Sequence, residues 1–268
     1  MKDVQNSHDD REVAIDQVGV SDLRYPIVVL DRHQEKQHTL ASLTMSVSLP
    51  HHFKGTHMSR FIEVLNEHRG EVTMRTLPAI LGDLKSRLDA ESARIEVRFP
   101  YFFDRVAPVS GATGLMEYEC WFVGEENGNQ DDFVLGVRVP VTSLCPCSKE
   151  ISDYGAHNQR GYVSMEVRSA RKEDGTPEFI WIEELIDVAE ASASAPVYPL
   201  LKRSDERHVT MQAYDNPVFV EDILRNVAVR LKADERVTWF HVHVVNHESI
   251  HNHSAFAKVD WSRPTGDP

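Results

Sequence analysis

The stretch 237-VTWFHVHVVNHESIHNH-253 decides how this chain folds, because it carries two incompatible patterns. His247, Glu248 and His251 spell H-E-x-x-H, and the metalloprotease chemistry of that motif needs a helix that puts both histidines on one face. The residues before it say otherwise. Trp239, His241, His243 and Val245 alternate with Phe240, Val242 and Val244, the period of a strand, and no helical pattern follows. The stretch therefore reads as a strand from Val237 to Val245 with the motif at its end. That sets the protease reading aside and leaves Glu248 and His251 free for different tasks. His241 and His243 lie on one face of the sheet, solvated or satisfied by neighbours.

The same period recurs upstream. Leu43, Met45, Val47 and Leu49 alternate until Pro50 ends the run. Arg94 to Phe103, Leu115 to Val123 and Phe133 to Val141 are also strand-like, with Asn127-Gly128-Asn129 as a hairpin turn between the last two. Another strand carries Tyr162, Val163, Met165 and Val167. Helical spacing appears after Ser59, through Phe61, Ile62 and Leu65, and again through Leu77, Ile80, Leu81, Leu84 and Leu88. Phe179 to Ala193 and Val218 to Lys232 also read as helices. The order is strand, two helices, strands, then strand, two helices, strand, which points to a duplicated α+β unit with a largely antiparallel sheet. Residues 1–20 are acidic and polar and read as a flexible leader, with units expected over 21–142 and 143–268.

The 268 residues hold 29 Lys+Arg against 42 Asp+Glu, a formal charge of −13. That charge argues against a general nucleic-acid or anionic-membrane binder, so any phosphate site must be built locally. Three cysteines, with no signal peptide and no stretch long enough to span a bilayer, point to a reducing cytoplasm rather than a disulfide framework.

The most chemical segment is 144-LCPCSKEISDYGAHNQRGY-162. Cys145 and Cys147 flank Pro146 and His157 follows, which brings sulfur and imidazole donors for zinc or a similar ion close together. A single buried cysteine is usually inert. Two around a proline in a polar loop between strands are better explained by function. Cys-Pro-Cys is one residue short of the spacing of a zinc knuckle or a nucleobase deaminase, so one sulfur is expected to bind. The histidine-rich segment after Val245 supplies the matching half of one folded site. The run LLKRSDER reads as a solvated loop with surface ion pairs. Lys149, Arg160, Lys202 and Arg203 can alternatively form a cationic pocket for a phosphate ester. KGTHMSR, with His57 and Ser59, offers a Ser-capped helix start that can face an anion or merely cap the helix.

These residues together resemble the type IB GTP cyclohydrolases, folate-pathway enzymes that convert GTP to 7,8-dihydroneopterin triphosphate and formate. The resemblance runs from about Asp22 to the end. It rests on KGTHMSRF, PVTSLCPCSKEIS, YGAHNQR, LLKRSDER, AYDNP, FVED and ESIHNH. It implies a tunnelling fold, with two tandem units of antiparallel sheet backed by helix pairs, the second carrying most of the metal site. Subunits would join into barrels within a homotetramer with active sites at interfaces. It makes Cys145, His157, Glu206 and His251 the metal site and Glu248 the carboxylate that holds the guanine edge. Cys147 is left as a second ligand or a redox partner. Type IA enzymes have a metal-binding histidine where this chain has Ser148, so zinc, manganese and iron all remain open. The nearest rival is the tunnelling-fold nitrile reductase of queuosine synthesis, which shares the KGTHMSR-like segment and uses a nucleophilic cysteine with NADPH and no metal. A non-catalytic metal-binding module is the third reading.

Overall fold

The computed structural model describes residues 4–264 apart from 6, 33–34, 69–71, 74, 129 and 174. Chain order is β1 (Ile15–Asp31), β2 (Glu35–Leu49), α1 (Met58–Glu67), α2 (Leu77–Leu88), β3 (Ser92–Val106), β4 (Thr113–Asn127), β5 (Gln130–Leu144), α3 (Pro146–Ile151), β6 (Asn158–Ser169), α4 (Ile182–Glu190), β7 (Ala195–Pro196), α5 (Arg203–Asp215), α6 (Val220–Ala233), β8 (Val237–His247) and β9 (Ser254–Ser262). Two compact units result, Met1–Pro100 with Trp121–Val134 and Tyr101–Cys120 with Leu135–Pro268. Their boundaries differ from the expected split near residue 142, because β3, β4 and β5 each contribute residues to both units.

In the first unit β1 pairs antiparallel with β2, and β2 with β3. Alternate residues of β2 and β3, among them Leu43, Met45, Val47, Ile95 and Val97, are buried with Phe61, Val64 and Leu65 of α1 and Ile80, Leu81 and Leu84 of α2. The 3.6-residue spacing of one set meets the two-residue spacing of the other, which is what closes a helix layer over a sheet. Two expectations change here. Residues 15–20 belong to β1 and are not leader. Register shifts between Ile15 and Val18 and between Val20 and Leu23 break the period-2 pattern that would have marked the strand. Ser59 is the second residue of α1 rather than its cap, a position held by His57. Asn129 of the expected hairpin turn lies outside the described residues; Gly128 adopts φ +59°.

In the second unit β5 pairs with β6, β6 with β8 and β8 with β9, all antiparallel. Val163, Met165, Phe240, Val242 and Val244 are buried with Ile182, Leu185 and Ile186 of α4 and Ile223, Val227 and Leu231 of α6. Here too the structure departs from the expected order. The LLKRSDER run is the start of α5, not a loop, and β9 follows β8. No described helix is long and apolar enough to cross a membrane.

Candidate functional site

The site is set by strand register in the second unit. Ser143, near the end of β5, stands opposite Gln159 of β6, and Gly161 of β6 stands opposite Asn246 of β8. All three polar side chains are buried: Ser143 is 1% exposed, Gln159 8% and Asn246 2%. A Cβ on Gly161 would come within 2.6 Å of Asn246 Oδ1, so only glycine leaves room for the carboxamide. Asn246 Nδ2 donates to Ser143 Oγ at 3.0 Å, Gln159 Nε2 donates to the same oxygen at 3.4 Å, and the Ser143 hydroxyl donates to the Val218 carbonyl at 3.0 Å.

The cysteine segment is fastened just beyond this floor. Cys145 is the N-cap of α3, its sulfur accepting the Ser148 amide at 3.4 Å. Its own amide donates to the His157 carbonyl at 3.1 Å, and the His157 amide donates to Ser148 Oγ at 3.2 Å. The His157 ring contacts Gln159 Oε1 through Nδ1 at 2.9 Å. Between β8 and β9 the chain bends without helix, so the H-E-x-x-H residues are spread over a strand end and a loop.

A pocket of about 280 Å³ forms there, lined by Ser143, Cys145, His157, Gln159, Phe219, Glu221, Asn246, Glu248, His251 and His253. The His251 and His253 rings stack with centroids 5.0 Å apart. The two sequence-distant segments are thus brought together within one unit. Sulfur, imidazole and carboxylate donors of this kind suit a borderline divalent ion. Among the described residues, however, no three His, Cys, Asp or Glu side chains already stand together as a metal cluster.

Other expected site residues lie outside this lining. Glu206, Lys202 and Arg203 are exposed around the start of α5, Arg160 is exposed on β6 and Cys147 is exposed on α3. Lys149 Nζ donates to the Tyr214 carbonyl at 2.5 Å and sits over the Tyr214 ring, tying α3 to α5. His57 and Ser59 belong to the first unit, at the start of α1. Sequence reasoning missed Ser143, Gln159, Asn246, Phe219 and Glu221; the alternation of β5, β6 and β8, laid in register, is the signal that finds the first three.

Asp205 anchors the start of α5. Burial opposes its ionisation, but hydrogen bonds from the Ser110 hydroxyl and amide and from the Lys202 and Val109 amides outweigh that and hold its carboxyl well below the usual range. Cys120 is the opposite case. Full burial, with Glu183 and Glu119 nearby, pushes its thiol well up and leaves it protonated, which makes it packing rather than chemistry.

Residues 1–257 match the family model described as type I GTP cyclohydrolase folE2. The chain belongs to that family. It is 56% identical to GTP cyclohydrolase FolE2 of Syntrophotalea carbinolica over 100% of this chain and 97% of the relative. Identity to the FolE2 of Syntrophus aciditrophicus is 55% (97% and 99% covered), and to that of Geobacter sulfurreducens 53% (98% and 99%). Among solved structures, the uricase of Arthrobacter globiformis aligns with TM-score 0.54 at 10% identity over 94% of this chain and 95% of that one. A Bacillus fastidious uricase aligns at 0.56 and 7%, over 92% and 94%. At such identities the likeness concerns the fold alone. Full-length matches at this level also decide between the two tunnelling-fold enzymes that the sequence resembles, in favour of the cyclohydrolase.

Proposed function

We propose that this chain hydrolyses GTP to 7,8-dihydroneopterin triphosphate and formate, as a type IB GTP cyclohydrolase at the first step of tetrahydrofolate synthesis. The observation that carries the reading is the pocket lined together by Cys145, His157, Glu248 and His251, in a chain that belongs to the cyclohydrolase family. Cys145, His157 and His251 have the donor types to hold zinc, manganese or iron, with Glu206 the fourth group implied by family resemblance. A divalent ion held there would lower the pKa of water toward neutrality and so make a nucleophile available for C8 of the purine.

The chain's own residues do the rest. The Glu248 carboxylate, an acceptor only, receives the paired N–H donors of the guanine edge. Phe219, 40% exposed at the pocket, offers a ring face to the purine. His157 serves either as a ligand of the ion or, with Nε2 free of it, as the group that carries protons to and from the ring nitrogens as C8 is hydrated and leaves as formate. Lys149, Arg160, Lys202 and Arg203, with His57 and Ser59, clamp the triphosphate, some from a neighbouring copy. Cys147 serves as a second ligand or as a redox partner for Cys145. The working state is a cytoplasmic homotetramer whose sheets join into barrels, with no nucleic-acid or membrane partner.

The test is to incubate chelator-stripped protein with GTP, with and without manganese or zinc. Formate and the fluorescence of the oxidised pterin are followed together. Metal-dependent appearance of both supports the reading. Absence of formate with every metal, from folded protein, overturns it.

A further inference from the structure

The chain of hydrogen bonds beneath the pocket has a fixed direction, and the direction ends on His157. It starts at the Val218 carbonyl, which can only accept. The single proton of Ser143 is committed to it at 3.0 Å, so toward its other neighbours Ser143 Oγ can only accept. It does so from Asn246 Nδ2 at 3.0 Å and from Gln159 Nε2 at 3.4 Å. Turning the Gln159 amide over would set its carbonyl oxygen against a hydroxyl with no proton left to give, at a side chain only 8% exposed. Gln159 Oε1 therefore faces His157 Nδ1 at 2.9 Å, and an amide oxygen only accepts.

We infer that Ser143 and Gln159 fix neutral His157 as the tautomer protonated on Nδ1, so that Nε2 keeps its lone pair for the pocket. They are positioning residues: neither is assigned a contact with the reacting atoms, and both act through the imidazole. Ser249 Oγ lies 3.4 Å from the same Nδ1, and because a hydroxyl can accept that hydrogen or donate to a bare nitrogen, it does not decide the tautomer. Asn246, lodged in the space that Gly161 leaves, occupies one lone pair of Ser143, and Gln159 Nε2 takes the other. The inference deepens the reading of His157 given above. A ring nitrogen with a lone pair is what both metal ligation and proton acceptance require, and the group on the other nitrogen decides which nitrogen that is.

The measurement is a long-range proton–nitrogen NMR correlation on full-length, chelator-stripped protein labelled with ¹⁵N-histidine. It is made above about pH 8, where an ordinary histidine is neutral. His157 is assigned by the signal lost in His157→Gln. The expected result is a protonated Nδ1 and a bare Nε2 in the unsubstituted protein. Ser249→Ala should retain it, and Gln159→Leu, which offers no acceptor, should mix the tautomers. A His157 protonated on Nε2 in the unsubstituted protein overturns the inference without any variant needing to fold. So does an unchanged tautomer in folded Gln159→Leu. Manganese titration separates this result from the functional reading: Gln159→Leu should bind the ion about 10- to 100-fold more weakly. Mixed tautomers with unchanged manganese affinity would remove His157 from the ligand set and leave the tautomer assignment standing.

Discussion

Cys145 is both a helix cap and a pocket residue: its sulfur accepts the Ser148 amide while its side chain lines the cavity shared with His157 and Glu248. Cys145→Ala and Glu248→Ala should each cut formate release by more than about 10²-fold while circular dichroism stays unchanged, and near-normal turnover in either would reject its role. These residues were legible in the sequence because cysteine, histidine and glutamate announce chemistry by type. Ser143, Gln159 and Asn246 were not, since neutral polar residues in strands carry no motif and acquire meaning only when register brings them face to face. Glu190 is a different buried group. Tyr118 and Arg105 hydrogen-bond to it, yet burial, reinforced by Asp187, outweighs Arg105 and raises its pKa from 4.5 to about 7. Over that interval the native state holds a proton that the unfolded chain releases, so stability present below about pH 4.5 is lost as pH rises through 7. The loss is at most about 3 kcal/mol. Urea midpoints at about pH 5 and pH 8 should differ less in Glu190→Gln than in the unsubstituted protein; an equal difference in both would assign the pH dependence to other groups.

At the scale of elements, legibility followed the apolar period. Helices α1, α2, α4 and α6 each bury a stripe, and their spacing showed it. Helix α5 buries only Asp205 and Ala213, so nothing in its hydropathy separates it from a solvated loop. What starts it is Asp205, which accepts the Lys202 amide at 2.8 Å and, from the segment before β4, the Val109 and Ser110 amides at 2.8 Å each. One carboxylate thus caps a helix and pins a loop, a fact about tertiary placement that no local window contains. Strand β9 was missed for a related reason. Its apolar residues are interleaved with Ser254, Lys258, Asp260 and Ser262, and its identity comes from the register Trp239↔Ser262 to His247↔Ser254 with β8. Asp205→Ala should therefore raise amide hydrogen exchange in the first turn of α5 and around Val109 and Ser110, leaving α6 protected as before. Uniform loss of protection across α5 and α6 together would mean that Asp205 supports the whole unit rather than this junction.

At the scale of the whole molecule, each unit ends in a strand with one open side. Among the described residues β1 pairs only with β2, and β9 only with β8. Open edges of this kind present unpaired backbone N–H and C=O groups, which proteins normally blunt, cover or join to another chain. Here β1 runs for 17 residues, and β9 exposes Phe256 at 65% beside its charged residues, which is poor blunting. The proposed assembly into barrels gives those edges partners in other copies, and a net charge of −13 selects against random association without preventing a specific one. If native chains associate through their edges and unfolded chains do not, mass action ties stability to concentration. Light scattering should then give four times the 30.5 kDa chain mass, and the melting temperature should rise with protein concentration. A species that stays at the mass of one chain, melting at the same temperature from micromolar to millimolar protein, would show that the edges are protected within the single chain and would remove the basis for sites shared between copies.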